Sequence, residues 1–242
     1  ILIEPAFCDG SANVMNIAAF HKTWRKTLAA EPTLIILDTT LTGPLFPIGE
    51  LLESLEGKPG KPRFKPPFPA AFGLYGRPTT INNTQSFASV PTILRRGPKW
   101  FADLGPEGSG GTALFSVSGH VEKPGNFELP LGIPFRDLLR IAGGVREGRS
   151  LKAVIPGGSS VPVVHGAAIM EATMDYNGLK KIGTSLGTGA VVVMDDTTCM
   201  VSVLRRISRF YYAESCGQCT PCREGTGWLY RMLSRILDGE GR

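Results

Sequence analysis

Histidine is nearly absent from these 242 residues: His21, His120 and His165 are all there is, and none stands near another. A zinc site draws on paired thiolates or histidines, usually two C-x2-4-C units or one such unit with an H-x3-5-H pair. Those patterns are missing. Cysteine is sparse too. Five cysteines, three of them crowded together, are not the even, dispersed set of a small disulfide-stapled secreted domain. Free thiols fit a reducing compartment instead. No apolar run reaches the roughly 18 residues that span a bilayer. No charged leader followed by an apolar core reads as a signal peptide. A strong excess of one charge is also lacking. The net +5 is modest, with neither a nucleic-acid recognition motif nor an interleaved aromatic stripe beside it. Its two concentrations, Lys58, Lys61, Arg63 and Lys65, then Arg95, Arg96 and Lys99, suit an anionic nucleotide or an acidic partner subunit.

What remains is a globular composition, 42% hydrophobic and 19% charged, enough for one large or two to three small domains. A chain that opens on Ile1 reads as a fragment or a processed form. Near its other end stands Glu-Ser-Cys-Gly-Gln-Cys-Thr-Pro-Cys-Arg-Glu-Gly, residues 214–225. Cys216, Cys219 and Cys222 have C-x2-C-x2-C spacing on a loop bent by Gly and Pro. Three thiols so spaced turn inward onto one centre, as in chains that wrap three irons of a [4Fe–4S] cube. Spacing favours iron and sulfide over zinc without excluding the latter. No cysteine follows Cys222, and Cys8 and Cys199 are each either a fourth ligand or an ordinary thiol.

Periodicity organises the rest. Phe20 to Leu28 reads as a short helix, Thr33 to Leu37 as a buried strand, and residues 50–56 as a helix with Leu51, Leu52 and Leu55 on one face. Pro59, Pro62, Pro66, Pro67 and Pro69 then impose an extended, polyproline-like course. This stretch is either a stiff surface linker or a nucleotide ledge, with Lys65 as a point charge for phosphate and Phe68 as an aromatic face for adenine. Thr79 to Thr84 precedes a helix through Ile93. Its Asn and Thr side chains either cap that helix or seat a phosphate at its N-terminus. Residues 106–111 read as a linker.

Ala113 to Val121 alternates as a strand with Leu114, Ser116, Ser118 and His120 on one side; His120 is expected to be a sheet residue and not a ligand. Phe135 to Ala142 forms a helix stopped by Gly143-Gly144. Lys152 to Ile155 and Ala190 to Met194 are short strands, and residues 156–160 a tight glycine loop. Asp195 to Thr198 is expected to cap a helix whose apolar face is Val201, Leu204, Ile207, Phe210 and Tyr211. A second amphipathic helix carries Trp228, Leu229, Met232, Leu233, Ile236 and Leu237. Pinned between the two, the cysteine loop is expected to be shielded from water.

The run 214–228 resembles the cluster-binding segment of the NADH-binding flavoprotein subunit of respiratory complex I, a module shared with NAD-linked hydrogenases and formate dehydrogenases. Residues 51–69, 73–83, 91–101, 118–125, 155–160 and 186–195 resemble that family in the same order, so the likeness covers roughly 49–242. It implies an α/β (α+β) chain: an unassigned segment 1–46, a partial FMN- and NADH-binding domain 47–110, a β-grasp domain 111–195 and a helical iron–sulfur domain 196–242. It implies FMN, NAD(H) and a [4Fe–4S] cluster as cofactors. Lys65 and Phe68 would contact nucleotide, Asn82, Asn83 and Thr84 flavin, and Ser159 would lie near flavin and cluster. Cys216, Cys219 and Cys222 would be the metal ligands, with the fourth beyond Arg242.

No side-chain acid or base is expected, since hydride transfer needs none. The resemblance further implies electron flow from NADH through FMN and the cluster to quinone. Partners would be other subunits, among them a [2Fe–2S] subunit and a multi-cluster subunit. Nucleic acid is not a partner, and the membrane is met only through the complex, at the cytoplasmic face of a bacterial inner membrane or the matrix side of a mitochondrial one. Two departures matter: the family's glycine-rich loop and acidic Gly-Glu-Glu loop do not appear, and Thr84-Gln85 replaces Val-Glu. They leave open a non-enzymatic electron-transfer or assembly module, the diaphorase subunit of a hydrogenase or formate dehydrogenase, and a zinc-stapled structural domain.

Overall fold

A computed structural model describes residues 34–38 and 48–241. They fall in two compact units, one up to Asp103 and one from Leu104. The helix expected over Phe20 to Leu28 lies outside the described residues.

In the first unit, strand β1 (Leu34–Asp38) pairs in parallel with β2 (Thr79–Asn83), Leu34 opposite Thr79 and Asp38 opposite Asn83. Helix α1 spans Ile48–Leu55, and its Leu52 is 1% exposed, as the leucine spacing predicts. Residues 79–83, expected as a helix cap, are a strand; the β-branched Thr79, Thr80 and Ile81 suit a pleated backbone better than a cap. Helix α2 (Thr84–Arg96) follows directly and continues past Ile93. After Gly97 comes α3 (Pro98–Ala102), joined to α2 by the Arg96 guanidinium, 4.7 Å from the centre of the Trp100 ring. Between α1 and β2 the proline-rich chain is extended, but its Lys65–Pro66 and Pro66–Pro67 peptides are cis, so it is not one uninterrupted polyproline helix.

The second unit opens on residues 104–111. The expected linker is a packed loop: Ser109 is 4% exposed. Then come β3 (Thr112–Gly119) and β4 (Gly125–Pro130), an antiparallel hairpin, and helix α4 (Phe135–Ile141). Gly143 and Gly144 end α4 at φ 81° and 84°, the left-handed turn that glycine adopts freely. Strand β5 (Leu151–Ile155), the short β6 (Val164–His165), helices α5 (Gly166–Met170) and α6 (Tyr176–Lys181), and strand β7 (Ala190–Asp195) complete the sheet. Its order is β4-β3-β7-β5-β6. Only the central β3–β7 pair is parallel; the other pairs are antiparallel. First and last strands side by side at the centre, with a helix crossing one face, is the β-grasp arrangement.

Both faces of this sheet are covered, because successive side chains point to opposite sides. Phe115, Val117, Val154, Val191 and Val193 join Phe135 and Leu138 of α4 and Leu179 of α6 in the main core. The intervening Ala153, Ile155 and Met194 turn the other way and meet Val161 and three residues of helix α7 (Met200–Ala213), namely Met200, Val203 and Ile207. Each fully buried aliphatic or aromatic side chain contributes about 1.5–3 kcal/mol.

The inward face of α7 is only partly the expected one. Ile207 turns inward as expected, but Leu204 is 50% and Phe210 46% exposed, and the sheet takes Met200 and Val203 in place of Val201 and Leu204. The turn that precedes α7 also differs: Cys199 occupies the N-cap position without a side-chain cap bond. After the cysteine loop, a wide helical turn at Pro221–Gly225 leads into α8 (Thr226–Leu237), which packs along α7. Among the described residues no helix is long and apolar enough to cross a membrane.

Candidate functional site

The cysteine loop is shaped by its own polar atoms. Gly217 turns at φ 81°, and its N–H donates to Ser215 Oγ at 3.3 Å. Arg223 reaches back across the loop, its Nη1 donating to Gly217 O at 3.0 Å. The Thr226 hydroxyl donates to Cys222 O at 2.6 Å, and the Cys222 thiol to Ser215 Oγ at 3.5 Å. These bonds hold the three-thiol segment between the ends of α7 and α8 and set a guanidinium beside it.

The expected shielding is absent from the described residues. Cys216 and Cys219 are exposed and Cys222 is half-buried. The α8 residues expected to cover the loop face outward: Trp228 is 61% and Met232 52% exposed, and Leu233 is the one apolar side chain of α8 that is buried. Cys199 is exposed as well.

Upstream, the glycine loop meets this assembly. Ser159 Oγ lies 2.8 Å from Tyr211 Oη, so the loop after β5 is tied to the last turn of α7, just before the cysteines. Gly157 permits it, because a Cβ there would overlap the Leu186 carbonyl.

Asp195, expected with Asp196 to Thr198 to cap α7, makes a different set of bonds ahead of that helix. It is 0% exposed at the end of β7 and accepts from the Thr197 hydroxyl at 2.6 Å and from Thr197 N at 3.1 Å. Its Oδ2 lies 3.1 Å from Arg146 Nε, and its Oδ1 2.8 Å from His120 Nδ1. Burial pushes the Asp195 carboxyl upward, but the bonds from Thr197, Arg146 and His120 outweigh it and hold the group well below the usual carboxylate range. So Asp195 caps its own turn and not the helix, and His120, just past the end of β3, rests on this carboxylate.

In the first unit, Lys65 is exposed and Phe68 is 61% exposed, on a loop that juts from the unit with Phe64 at 84% and Phe72 at 57%. Thr79 N donates to Pro69 O at 2.9 Å, which joins this loop to the start of β2. Asn82 is exposed on β2, about 10 Å along the strand from Thr79 at 3.3 Å per residue. Asn83 ends that strand and Thr84 begins α2.

The base of the loop is an ion network that single-residue motifs do not show. Glu56 Oε2 lies 2.7 Å from both Lys58 Nζ and Arg63 Nη2, and Oε1 accepts from Tyr75 N at 2.9 Å. The bonds from Arg63 and Lys58 hold the Glu56 carboxyl down at about 2 against its ordinary 4.5. Arg63 also pairs with Glu53 and donates to Gly73 O at 3.1 Å.

A cube asks each thiolate to bind a different iron, and three thiols at C-x2-C-x2-C spacing on one loop suit that division. Among the described residues no three His, Cys, Asp or Glu side chains converge on one point. Arg223 in the same loop pairs with Glu224, Nε to Oε1 at 3.0 Å.

Comparison with known proteins agrees. The model of the NADH-ubiquinone oxidoreductase-F iron-sulfur binding region matches residues 202–242, and that of the SLBB domain residues 114–164. The NADH-quinone oxidoreductase F subunit of Rickettsia bellii (strain OSU 85-389) is 57% identical over 194 residues, 79% of this chain and 46% of the relative. Its counterpart in Rickettsia typhi (strain ATCC VR-144 / Wilmington) is 56% identical over the same length. The crystal structure of an NAD+-reducing [NiFe]-hydrogenase in the air-oxidized state superposes with a TM-score of 0.70 at 34% identity, over 79% of this chain and 32% of that one. The chain thus spans about half the length of the curated relatives it matches. Over the matched four-fifths of its own length, it is related to the F subunits of NADH-quinone oxidoreductase.

Proposed function

We propose that this chain is the electron-relaying part of an NADH-oxidising flavoprotein subunit. The observation that carries the reading is the triplet of thiols on one bonded loop between α7 and α8, within the segment matched by an iron–sulfur binding region. FMN and a [4Fe–4S] cluster, when bound, convert the two-electron chemistry of NADH into single-electron steps. Cys216, Cys219 and Cys222 would hold three of the cluster's irons, on a loop that Arg223 braces through Gly217 O. Ser159, through Tyr211, fixes the glycine loop against the helix that leads into the cysteines. Lys65 attracts the nucleotide's phosphates, Phe68 offers a ring face to adenine, and Asn82, Asn83 and Thr84 contact the flavin. These residues bind and orient; none needs to move a proton.

Electrons pass on toward quinone, by way of partner subunits that include a [2Fe–2S] protein and a multi-cluster protein. The chain sits on the peripheral arm of that complex, at the cytoplasmic face of a bacterial inner membrane or the matrix side of a mitochondrial one. The likeness to the NAD+-reducing hydrogenase favours a second reading, the diaphorase part of a hydrogen-linked enzyme with a different acceptor.

Anaerobic reconstitution with iron and sulfide tests the core of the proposal. About four irons and four sulfides per chain and a brown visible spectrum are expected; a colourless protein that takes up zinc alone would sink it. NADH-dependent ferricyanide reduction with added FMN then tests the nucleotide contacts, through its loss in Lys65→Ala and Asn82→Ala.

A further inference from the structure

We infer that Glu56 and Arg63 are a positioning pair: they hold the loop that presents Lys65 and Phe68 in its nucleotide-receiving shape. The inference rests on the reading of those two residues as nucleotide contacts.

The apex of the loop has little packing of its own. Phe64, Phe68 and Phe72 are 84%, 61% and 57% exposed, and Lys65 is exposed too. Its shape is therefore set at its base, where one guanidinium spans the opening. Arg63, at the start, binds Glu53 and Glu56 at the end of α1 and Gly73 O, where the chain returns. Glu56 takes the same closure one step further by accepting from Tyr75 N, and the Tyr75 hydroxyl donates to Leu55 O at 3.2 Å. Behind the returning strand, Thr79 N donates to Pro69 O and Thr79 Oγ1 accepts from Leu74 N, both at 2.9 Å.

Side-chain exposure separates the pair from an ordinary surface bridge: 8% for Glu56 and 23% for Arg63. An ion pair so enclosed adds little net stability over apolar packing but fixes geometry, since either charge left alone is costly. Tyr75 adds a second sign of tight definition, holding φ 50° as a non-glycine residue. With the base open, Lys65 and Phe68 sample many orientations, and nucleotide binding must bear the ordering cost.

Calorimetric titration of the full chain with NADH tests this, on wild type, Glu56→Gln, Arg63→Met, Arg63→Lys, Lys65→Ala and Leu52→Ala, with amide exchange followed in parallel. Glu56→Gln and Arg63→Met are expected to weaken binding about tenfold or more and to speed exchange over 64–76 while the second unit exchanges as before. Arg63→Lys, which keeps the charge but loses the fork, should fall between. Leu52→Ala destabilises the same unit through its core and should bind NADH as wild type does at temperatures where it is folded.

Wild-type affinity in Glu56→Gln and Arg63→Met, beside weak binding in Lys65→Ala, overturns the inference and leaves the nucleotide reading standing. An equal loss in Leu52→Ala also overturns it, because the pair would then act through stability alone. Unchanged binding in Lys65→Ala, or no binding of NADH by wild type, removes the nucleotide reading and the inference with it.

Discussion

Protonating Glu56 should open the base of its loop, and the structure sets both size and pH window. The carboxyl is held at about 2 against an ordinary 4.5. Each tenfold change in acidity corresponds to about 1.4 kcal/mol, so the folded state favours the ionised form by roughly 3.5 kcal/mol at most. Part of this comes from Lys58, whose side chain is 57% exposed; screening reduces that share and leaves about 2 kcal/mol. Because the folded value is depressed, the contribution is complete above 4.5 and disappears as pH falls from there toward 2. Exchange of the Tyr75 amide, which donates to Glu56, reads the opening directly. Glu56→Gln should open more readily at pH 7, by about 2 kcal/mol or some thirtyfold in exchange after correction for intrinsic rates. At pH 3 the gap should shrink to less than about 1 kcal/mol, since most of the wild-type contribution has then gone. A gap that is absent at pH 7, or equally large at pH 3, would refute the reasoning.

Three further outcomes follow from the second unit. Serine at any one of Cys216, Cys219 and Cys222 should lower the iron bound after anaerobic reconstitution, and all three together should abolish the visible spectrum without loss of far-UV circular dichroism, because the sheet core is remote in sequence from the loop. Phe135→Ala, at a side chain 0% exposed in the main core, should cost about 3–5 kcal/mol in urea unfolding; a loss under about 1 kcal/mol would mean that α4 does not seat on the sheet as described. Gly157→Ala forces a Cβ onto the Leu186 carbonyl, so the loop must move. It should destabilise by about 1–3 kcal/mol and loosen the Ser159–Tyr211 contact, visible as faster exchange in the last turn of α7.

Local signals are legible in the sequence and distant partners are not. Strands β5 and β7 lie within one residue of the short apolar runs that predict them, and α4 stops at its glycine pair. Of the inward face of α7 only Ile207 is legible, because the helix alone offers several apolar stripes and the choice of Met200 and Val203 is made by the sheet residues they meet. Asp195 carries the local signature of a helix cap, and its true partner His120 lies 75 residues away. The Glu56 network needs Tyr75, 19 residues on, to be recognised at all. The cysteines were the opposite case: their spacing is the signal. What they lack, cover from water, is a matter of where the two flanking helices turn their apolar sides.

Pairing the first strand of the β-grasp unit with the last makes the seating of the cysteine-bearing hairpin depend on closure of the whole sheet. Until Ala190–Asp195 slots between Thr112–Gly119 and Leu151–Ile155, Met194 has no place in the sheet and α7 has no platform for Met200, Val203 and Ile207. Such long-range closure is slow compared with helix formation. All of the sheet's strands precede Cys216 in the chain, so the scaffold is synthesised before the thiols that it carries. A transplant of the thiol segment into another protein would have to bring the whole five-stranded platform with it.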